Sequence, residues 1–329
     1  MGRARARSSR ISRSRRTSRP RGKQINMLPP LVVAIVLNTN RRADTLACLE
    51  SLHKQSYGNL RVIVLDNACT DGSNEAIRAA FPQVEILSLT QNLGYAGNNN
   101  VGIRAALECG AEWCFVVNED ILLDSDAVRC LVEAAHPDPT VGIVGPMVYH
   151  ADAPQVIQSA GGMLDARWQA YHRGENQLDQ GQFSRVEPVD WISGCAILVR
   201  RGVIEQVGAL DERFFYYFEE TEWCTRARRA GWKIWFVPQA KIWHKGVQIN
   251  YRPSPNVTYY ATRNRFLMMA KHGAPLTAWG YALVANFLRP LLSWTLKPRW
   301  RAMRPHRDAL WQGALDFFRR RWGMRPTPR

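Results

Sequence analysis

Two short segments carry side chains that could do chemistry. Asp66-Asn67-Ala68-Cys69-Thr70-Asp71-Gly72-Ser73 and Val117-Asn118-Glu119-Asp120 each sit at the end of an apolar run of strand length. They place carboxylates just past the C-terminal edge of buried strands, where an open α/β sheet takes its ligand. A carboxylate there can accept the N–H of a base or hold a divalent cation against a diphosphate. Together the two segments point to an enzyme that handles a nucleotide-diphosphate compound.

The elements that position them follow from pattern. Leu31 to Leu37 is a continuous apolar run and reads as a central parallel strand. Arg41 to Gln55 carries apolar residues at helix spacing, and Leu60 to Leu65 is a second strand ending at Asp66. Ser73–Phe81 reads as a helix with Asp71 or Ser73 as cap, Val84–Leu89 as a strand, Asn98–Cys109 as a helix and Glu112–Val117 as a strand. Such alternation predicts an α/β, doubly wound, mostly parallel sheet. Further on, Asp124–Ala135 reads as a helix and Val141–Val148 as a strand. Residues 150–188 read as a loop or hairpin over a substrate, Trp191–Val199 and Lys233–Val237 as strands, and Thr221–Ala230 as a helix.

The formal charge of +16 is concentrated at the ends. Residues 1–23 hold ten Arg and Lys and no acid, and 297–329 hold ten against Asp308 and Asp316, which leaves 24 bases and 26 acids between them. A nearly neutral body argues against nucleic acid as partner. Basic ends suit an anionic membrane surface, although residues 1–28 equally suit a solvated, disordered tail. The seven cysteines form no C-x-x-C pair, and several lie within apolar runs, so a reducing, cytoplasmic compartment is expected. From residue 256 the chain reads as a helical, aromatic and basic extension. Leu276–Leu296 contains Asn286, Arg289 and Pro290, which predicts an interfacial or groove-covering helix rather than a span. Trp279, Trp294, Trp300, Trp311 and Trp322 with Arg319-Arg320-Arg321 match a membrane-surface segment or, alternatively, tryptophans that complete the core.

Nine segments stand in one order: Val36-Leu37-Asn38-Thr39-Asn40, Asp66 to Ser73, Asn92 to Asn100, Val117 to Asp120, Ile192 to Ala196, Asp211 to Phe215, Glu219 to Glu222, Arg226 to Trp232, and His244. This order resembles glycosyltransferase family 2, the inverting enzymes of GT-A fold, and within it the rhamnosyltransferase-like bacterial members. The resemblance covers about residues 30–250 and implies a GT-A domain over 29–255. It implies that Asp66 accepts the N–H of a pyrimidine, with Thr39 and Asn67 bordering that pocket and Asn92 and Gly94 touching the nucleotide-sugar.

Asn118-Glu119-Asp120 occupies the place of the family's Asp-x-Asp. Asn118 becomes a neutral ligand or ribose contact, and Asp120 with His244 becomes the ligand pair for Mg²⁺ or Mn²⁺. Glu219-Glu220 occupies the place of the general base, with Glu220 favoured and Glu219 the alternative. An acidic helix N-terminus favoured by the dipole is the bland reading of the same residues. Trp191 and Gly194 fall on the acceptor side, and Arg226, Arg228 and Arg229 are either surface charge or lipid-phosphate contacts.

The implied activity is a metal-dependent inverting transfer of a sugar from a dTDP or UDP donor to a saccharide or lipid-linked acceptor, on the inner face of the cell membrane. Rhamnose is one donor sugar; a UDP-hexose or UDP-N-acetylhexosamine is the alternative. A non-catalytic nucleotide-sugar-binding paralogue is a further alternative, because Asn118 and Glu220 depart from the family pattern. No G-x-G-x-x-G follows the first strand, which disfavours a dehydrogenase.

Overall fold

The computed structural model describes residues 1–2 and 29–326, so the basic tail expected over 1–28 lies almost wholly outside the described residues. The first half alternates: β1 (Val32–Asn38), α1 (Arg42–His53), β2 (Leu60–Asp66), α2 (Ser73–Ala80), β3 (Glu85–Ser88), α3 (Gly94–Glu108) and β4 (Trp113–Asn118). Every residue of β1 is buried. Val33, Ile35 and Leu37 pack in one core layer with Ile103 and Ala106 of α3; Val32, Ala34 and Val36 pack in the other with Leu49 and Leu52 of α1. A strand covered on both faces has no polar side, which is why it is an unbroken apolar run.

Then come β5 (Ile121–Leu123), α4 (Ala127–Ala135), β6 (Val141–His150), β7 (Ile157–Ser159), β8 (Gly162–Leu164), β9 (Ala170–His172), β10 (Glu187–Pro188), β11 (Ala196–Arg200), α5 (Arg201–Val207), α6 (Glu219–Arg229) and β12 (Lys233–His244). The main sheet runs β10-β12-β6-β11-β4-β1-β2-β3. It is mostly parallel; β11 lies antiparallel to both β4 and β6. Because β1 is parallel to β2 on one side and β4 on the other, the strand order reverses at β1. The crevice at such a reversal is where ligands bind, and Asn38, Asp66 and Asn118 end the three strands that form it.

The helix expected from Asp124 starts at Ala127, the strand expected to end at Val148 runs to His150, and the stretch 150–188 holds four short strands. Three further differences bear on the site. Of Trp191–Val199 only Ala196–Arg200 joins the main ladder, because residues 191–195 bend away: Trp191 exchanges backbone hydrogen bonds with Gly162, and the Gly194 carbonyl accepts from Tyr95. The strand from Lys233 does not stop at Val237 but passes an irregularity between Val237 and Lys241, at Pro238, and continues to His244. His244 is therefore the last residue of a strand, not a residue beyond a connection. Finally, α3 starts at Gly94, four residues before Asn98.

The C-terminal segment comprises α7 (Pro255–Lys271), α8 (Leu276–Tyr281), a π-helical stretch (Ala282–Leu288), α9 (Arg289–Leu296) and α10 (Arg304–Phe318). Pro255 opens α7 at its first turn, where no N–H partner is needed. Phe266 and Met269 of α7 share a core with Ala278, Ala282, Phe287, Leu310 and Ala314. Trp279, Trp294 and Trp322 are partly buried against these clusters, whereas Trp300 and Trp311 are exposed. Among the described residues no helix is long and apolar enough to cross a membrane.

Candidate active site

The ends of β1 and β2 are tied together side by side. Asn38 pairs in register with Asp66, the Asn67 N–H donates to the Asn38 carbonyl, and the Asn38 amide donates to Ser73 Oγ at 2.8 Å. Asp66 is buried and accepts the Cys69 N–H at 2.9 Å. Burial opposes its ionisation, but hydrogen bonds from Cys69, Asn74 and Ser88 outweigh it and hold the carboxyl below the usual range. Asp71 Oδ1 accepts the Ser73 N–H, and the residue capping α2 is Gly72 in the left-handed region.

Asn92 Oδ1 accepts the Gly94 N–H at 2.9 Å, and Asn98 reaches Asn67 and Asn92. Asn67 and Asn92 thus share one amide network with the start of α3. Gly94 is buried there at φ +74°; a Cβ would stand 2.3 Å from the Phe215 carbonyl oxygen. Its glycine is accounted for by that contact, and Tyr95 rather than Gly94 reaches the cleft. Thr39 Oγ1 donates to Oε1 of the buried Glu119.

Asp120 stands between β4 and β5 and lies beside His244, the end of β12, which pairs in register with Ile121. Oδ1 of Asp120 lies 3.2 Å from Nε2 of His244, yet it is buried without an aligned hydrogen bond. On the far side of the ring Nδ1 faces Gln158 Oε1 at 3.0 Å. Nε2 of His244 and Oδ1 of Asp120 thus face one point, and a ring holding its proton on Nδ1 against Gln158 would turn its Nε2 lone pair to a cation bound there. The backbone at Gly246 closes this corner, since a Cβ there would stand 2.3 Å from Asp120 Oδ2.

Arg41 Nη1 contacts Asp120 Oδ2 at 2.5 Å and Nη2 reaches Asp44 at 2.7 Å; Lys245 bonds the same Asp44. Burial of Asp120 is outweighed by His244 and Arg41, which hold its carboxyl below the usual range. Among the described residues no three His, Cys, Asp or Glu side chains converge as a closed metal cage. Two donors with an orphaned carboxylate oxygen fit an open cation site that a diphosphate completes, the habit of Mg²⁺ in particular. Arg41 and Gln158 carry no signal in the sequence, because each matters only through the residue it touches.

A cleft of about 270 Å³ adjoins this corner, lined by Asn118, His244, Trp191, Gly194, Glu219 and Glu220 among others. Six of the sequence candidates therefore line one cleft and Asp120 adjoins it through His244, whereas Thr39, Asp66, Asn67, Asn92 and Gly94 are not among its lining residues. The Trp191 indole lies across Gly162, donates to the Met163 carbonyl at 3.1 Å, and stacks obliquely on His172. Burial drives His172 down to about 4, so it is a neutral neighbour at pH 7.

Glu219 and Glu220 open α6. Burial raises both carboxyls, Glu220 to about 7 and Glu219 well above its ordinary value, with the charge of Glu220 adding to the latter. Oε2 of Glu219 is buried without a hydrogen bond. Glu219 is buried and Glu220 half-buried at the cleft surface, and two such adjacent carboxyls resist ionising together, so Glu219 keeps its proton when Glu220 loses its own. By contrast Glu222 is paired with His272, Arg226 and Lys271, which overcome its burial and hold it at about 2. Only the first two acids of the Glu-rich turn are therefore available for proton transfer.

The loop that delivers them is strained. Phe215, Tyr217 and Phe218 all adopt positive φ, at 62°, 69° and 72°. Side chains rarely hold that conformation unless their surroundings impose it. Here α7 does: Asn264 Nδ2 donates to the carbonyls of Phe214, Tyr216 and Tyr217, each at 2.8 Å, and Arg263 Nη2 donates to Phe214 O at 2.9 Å. Both side chains are fully buried. Nothing in the sequence singles out Arg263 and Asn264, because their acceptors are backbone atoms about 50 residues away. Arg226, Arg228 and Arg229 are committed elsewhere, to Glu222, to Asp190 at 2.5 Å and to the His272 carbonyl respectively.

Comparison with known proteins bears on this geometry. The chain is 30% identical over 221 residues to an N-acetylglucosaminyl-diphospho-decaprenol L-rhamnosyltransferase of Mycobacterium tuberculosis, covering 60% of this chain and 70% of that one. It is 26% identical over 254 residues to a dTDP-rhamnosyl transferase of Shigella flexneri, covering 74% and 82%. The fold is similar to that of a Pyrobaculum calidifontis mannosyltransferase solved with GDP-Man and Mn²⁺, with a TM-score of 0.56, 19% identity, and 88% and 87% of the two chains covered. The sheet order, the position of the crevice and the family model for "Glycosyltransferase like family 2", which matches residues 29–266, agree: the chain belongs to glycosyltransferase family 2.

Proposed function

We propose that this glycosyltransferase is a metal-dependent inverting enzyme that moves rhamnose from dTDP-rhamnose to a lipid-linked saccharide. The observation that carries the reading is one cleft lined both by Glu220, its carboxyl raised to about 7, and by His244, with Asp120 next to that ring. Asp66 accepts the N–H of the pyrimidine, with Thr39 and Asn67 beside it. Asn92 and Asn118 contact the nucleotide-sugar. Asp120 and His244 hold Mg²⁺ or Mn²⁺; when bound, such a cation offsets charge on the departing diphosphate. Glu220 takes the proton of the acceptor hydroxyl as its oxygen bonds to the anomeric carbon; the bond from that carbon to the diphosphate oxygen breaks on the opposite face. Glu219 remains protonated beside it, and Trp191 and Gly194 shape the acceptor side.

The rhamnose assignment rests on the two similar rhamnosyltransferases; a UDP-hexose donor is the second reading. A position on the inner face of the cell membrane belongs to the same proposal, because a lipid-linked acceptor is confined to a membrane and the nucleotide-sugar donor is expected on its inner side. Release of nucleoside diphosphate from dTDP-rhamnose and from UDP-hexoses, with Mn²⁺ and with chelator, tests it. Metal-dependent turnover of dTDP-rhamnose that Glu220→Gln abolishes is the expected result. Donor binding without turnover across acceptors would return the chain to the non-catalytic reading.

A further inference from the structure

The helical stretch from Leu276 to Leu296 has its apolar side outward. Its positions of highest exposure include Leu276 at 87%, Val284 at 61%, Leu288 at 44%, Leu292 at 55% and Leu296 at 72%. These fall on one four-residue repeat, interrupted only by the exposed Gly280. A strict repeat of four drifts ahead of a 3.6-residue turn, whereas the wider turns of the π stretch Ala282–Leu288 drift behind it. The π stretch takes back part of the advance, which keeps the five side chains within one side of the helix. The opposite side of the same stretch is anchored in the protein, through Ala278, Ala282 and Phe287 on Phe266 and Leu310. A surface helix normally shows water its polar face, and this one shows leucines.

The charge around the stripe is of one sign. Residues 276–307 hold five Arg and one Lys and no Asp or Glu. Arg289, Lys297, Arg299, Arg301 and Arg304 are exposed, and none pairs with a carboxylate among the described residues. Trp300, 39% exposed, continues the stripe into this basic segment. Leucines flanked by unpaired cations match an anionic lipid surface: the apolar chains enter the acyl boundary while the cations meet phosphates.

We propose that the outward face of Leu276–Leu296, with the basic segment after it, is a docking surface for an anionic lipid bilayer. It shifts the membrane contact from the tryptophans, most of which face inward, to the leucine stripe. The proposal deepens the membrane location given above and rests on it, but it assumes nothing about donor or metal.

The test is flotation of the full chain with phosphatidylcholine vesicles and with phosphatidylcholine–phosphatidylglycerol vesicles. The wild type is expected to float with the anionic vesicles and much less with the neutral ones. At about 1 M salt, where charges more than roughly 3 Å apart are screened, attachment through the basic tail is lost and part of the stripe's binding persists. The variant Leu292→Gln/Leu296→Gln is expected to lose that salt-resistant binding, with a partition coefficient about a hundredfold lower. Both leucines are exposed and Gln is a good helix former, so donor hydrolysis should stay within about twofold of wild type. An unchanged partition coefficient, or equal binding to neutral vesicles, overturns the proposal. So does a wild-type dimer that these substitutions dissociate, which would assign the stripe to a second copy of the chain. Because donor hydrolysis is measured separately, its absence would fault the enzymatic reading and not the docking surface.

Discussion

The two walls of the site are built on opposite principles, and of the first only Asn118 lines the cleft itself. The wall around Asp66, Asn38 and Asn118 consists of side chains at the ends of buried strands, with Asn38 and Asp66 held by short local hydrogen bonds. Its carboxylates, Asp66 and Asp120, are held below their ordinary range by the groups that touch them. The wall around Glu219 and Glu220 hangs on a loop with three left-handed aromatic residues, and burial pushes both carboxyls up. On the proposed function Asp66 and Asp120 work ionised and can sit on an unstrained scaffold. Glu220 would have to gain a proton near pH 7, which removal from water favours, and α7 ties down the loop that precedes it.

If that contrast is right, the base wall should govern turnover and the strand-end wall donor affinity. Glu220→Gln carries the largest expected effect, a fall in kcat of about 10³-fold with donor KM little changed, read by steady-state kinetics. In the wild type kcat should rise with pH through about 7 and level off above it, since the base works deprotonated. The sign reverses for stability. A carboxyl raised above its unfolded value stabilises the fold at low pH, and that stability is lost as pH climbs towards 7. Glu220→Gln should therefore be more stable than wild type at pH 8, by a few kcal/mol at most, with the gap closing towards pH 5 in thermal melts.

Asp120→Asn comes next. It should lower kcat/KM about 100-fold and abolish the Mn²⁺ dependence of donor binding measured by calorimetry, leaving the pH midpoint of any residual turnover in place. Retained Mn²⁺ affinity would move the cation away from Asp120 and His244. Asn264→Ala strips the three carbonyls of Phe214, Tyr216 and Tyr217 of their shared donor. A loss of about 2 kcal/mol in stability and roughly tenfold in kcat is expected, with the pH midpoint displaced and donor affinity intact. A stability loss with an unmoved pH midpoint would deny α7 any part in placing Glu220. Asp66→Asn is the mildest of the four, weakening donor binding about tenfold through the lost charge-assisted contact and sparing kcat.

The strand-end wall was legible because its residues follow their strands directly. Period and apolar runs locate β1, β2 and β4, and the acids come next in the chain. The boundaries that were misplaced share one cause. Gly94, residues 191–195 and the run from Val237 to His244 are shaped by partners remote in sequence: Phe215, Gly162 and Tyr95, and β5 with β6. Arg41, Gln158, Arg263 and Asn264 were invisible for the same reason, since an ordinary polar residue gains its role only from what folding sets against it.

From its own pattern this protein declares an α/β sheet, the acids that follow its strands, and a basic helical end, because those depend on neighbours within a few residues. Which carboxyl is raised and which is lowered, which nitrogen of His244 faces Asp120, and that a row of leucines lies on the outward side of Leu276–Leu296 were settled by the tertiary structure alone. Desolvation, lone-pair direction and solvent exposure are properties of surroundings assembled from distant parts of the chain, and no local pattern encodes them.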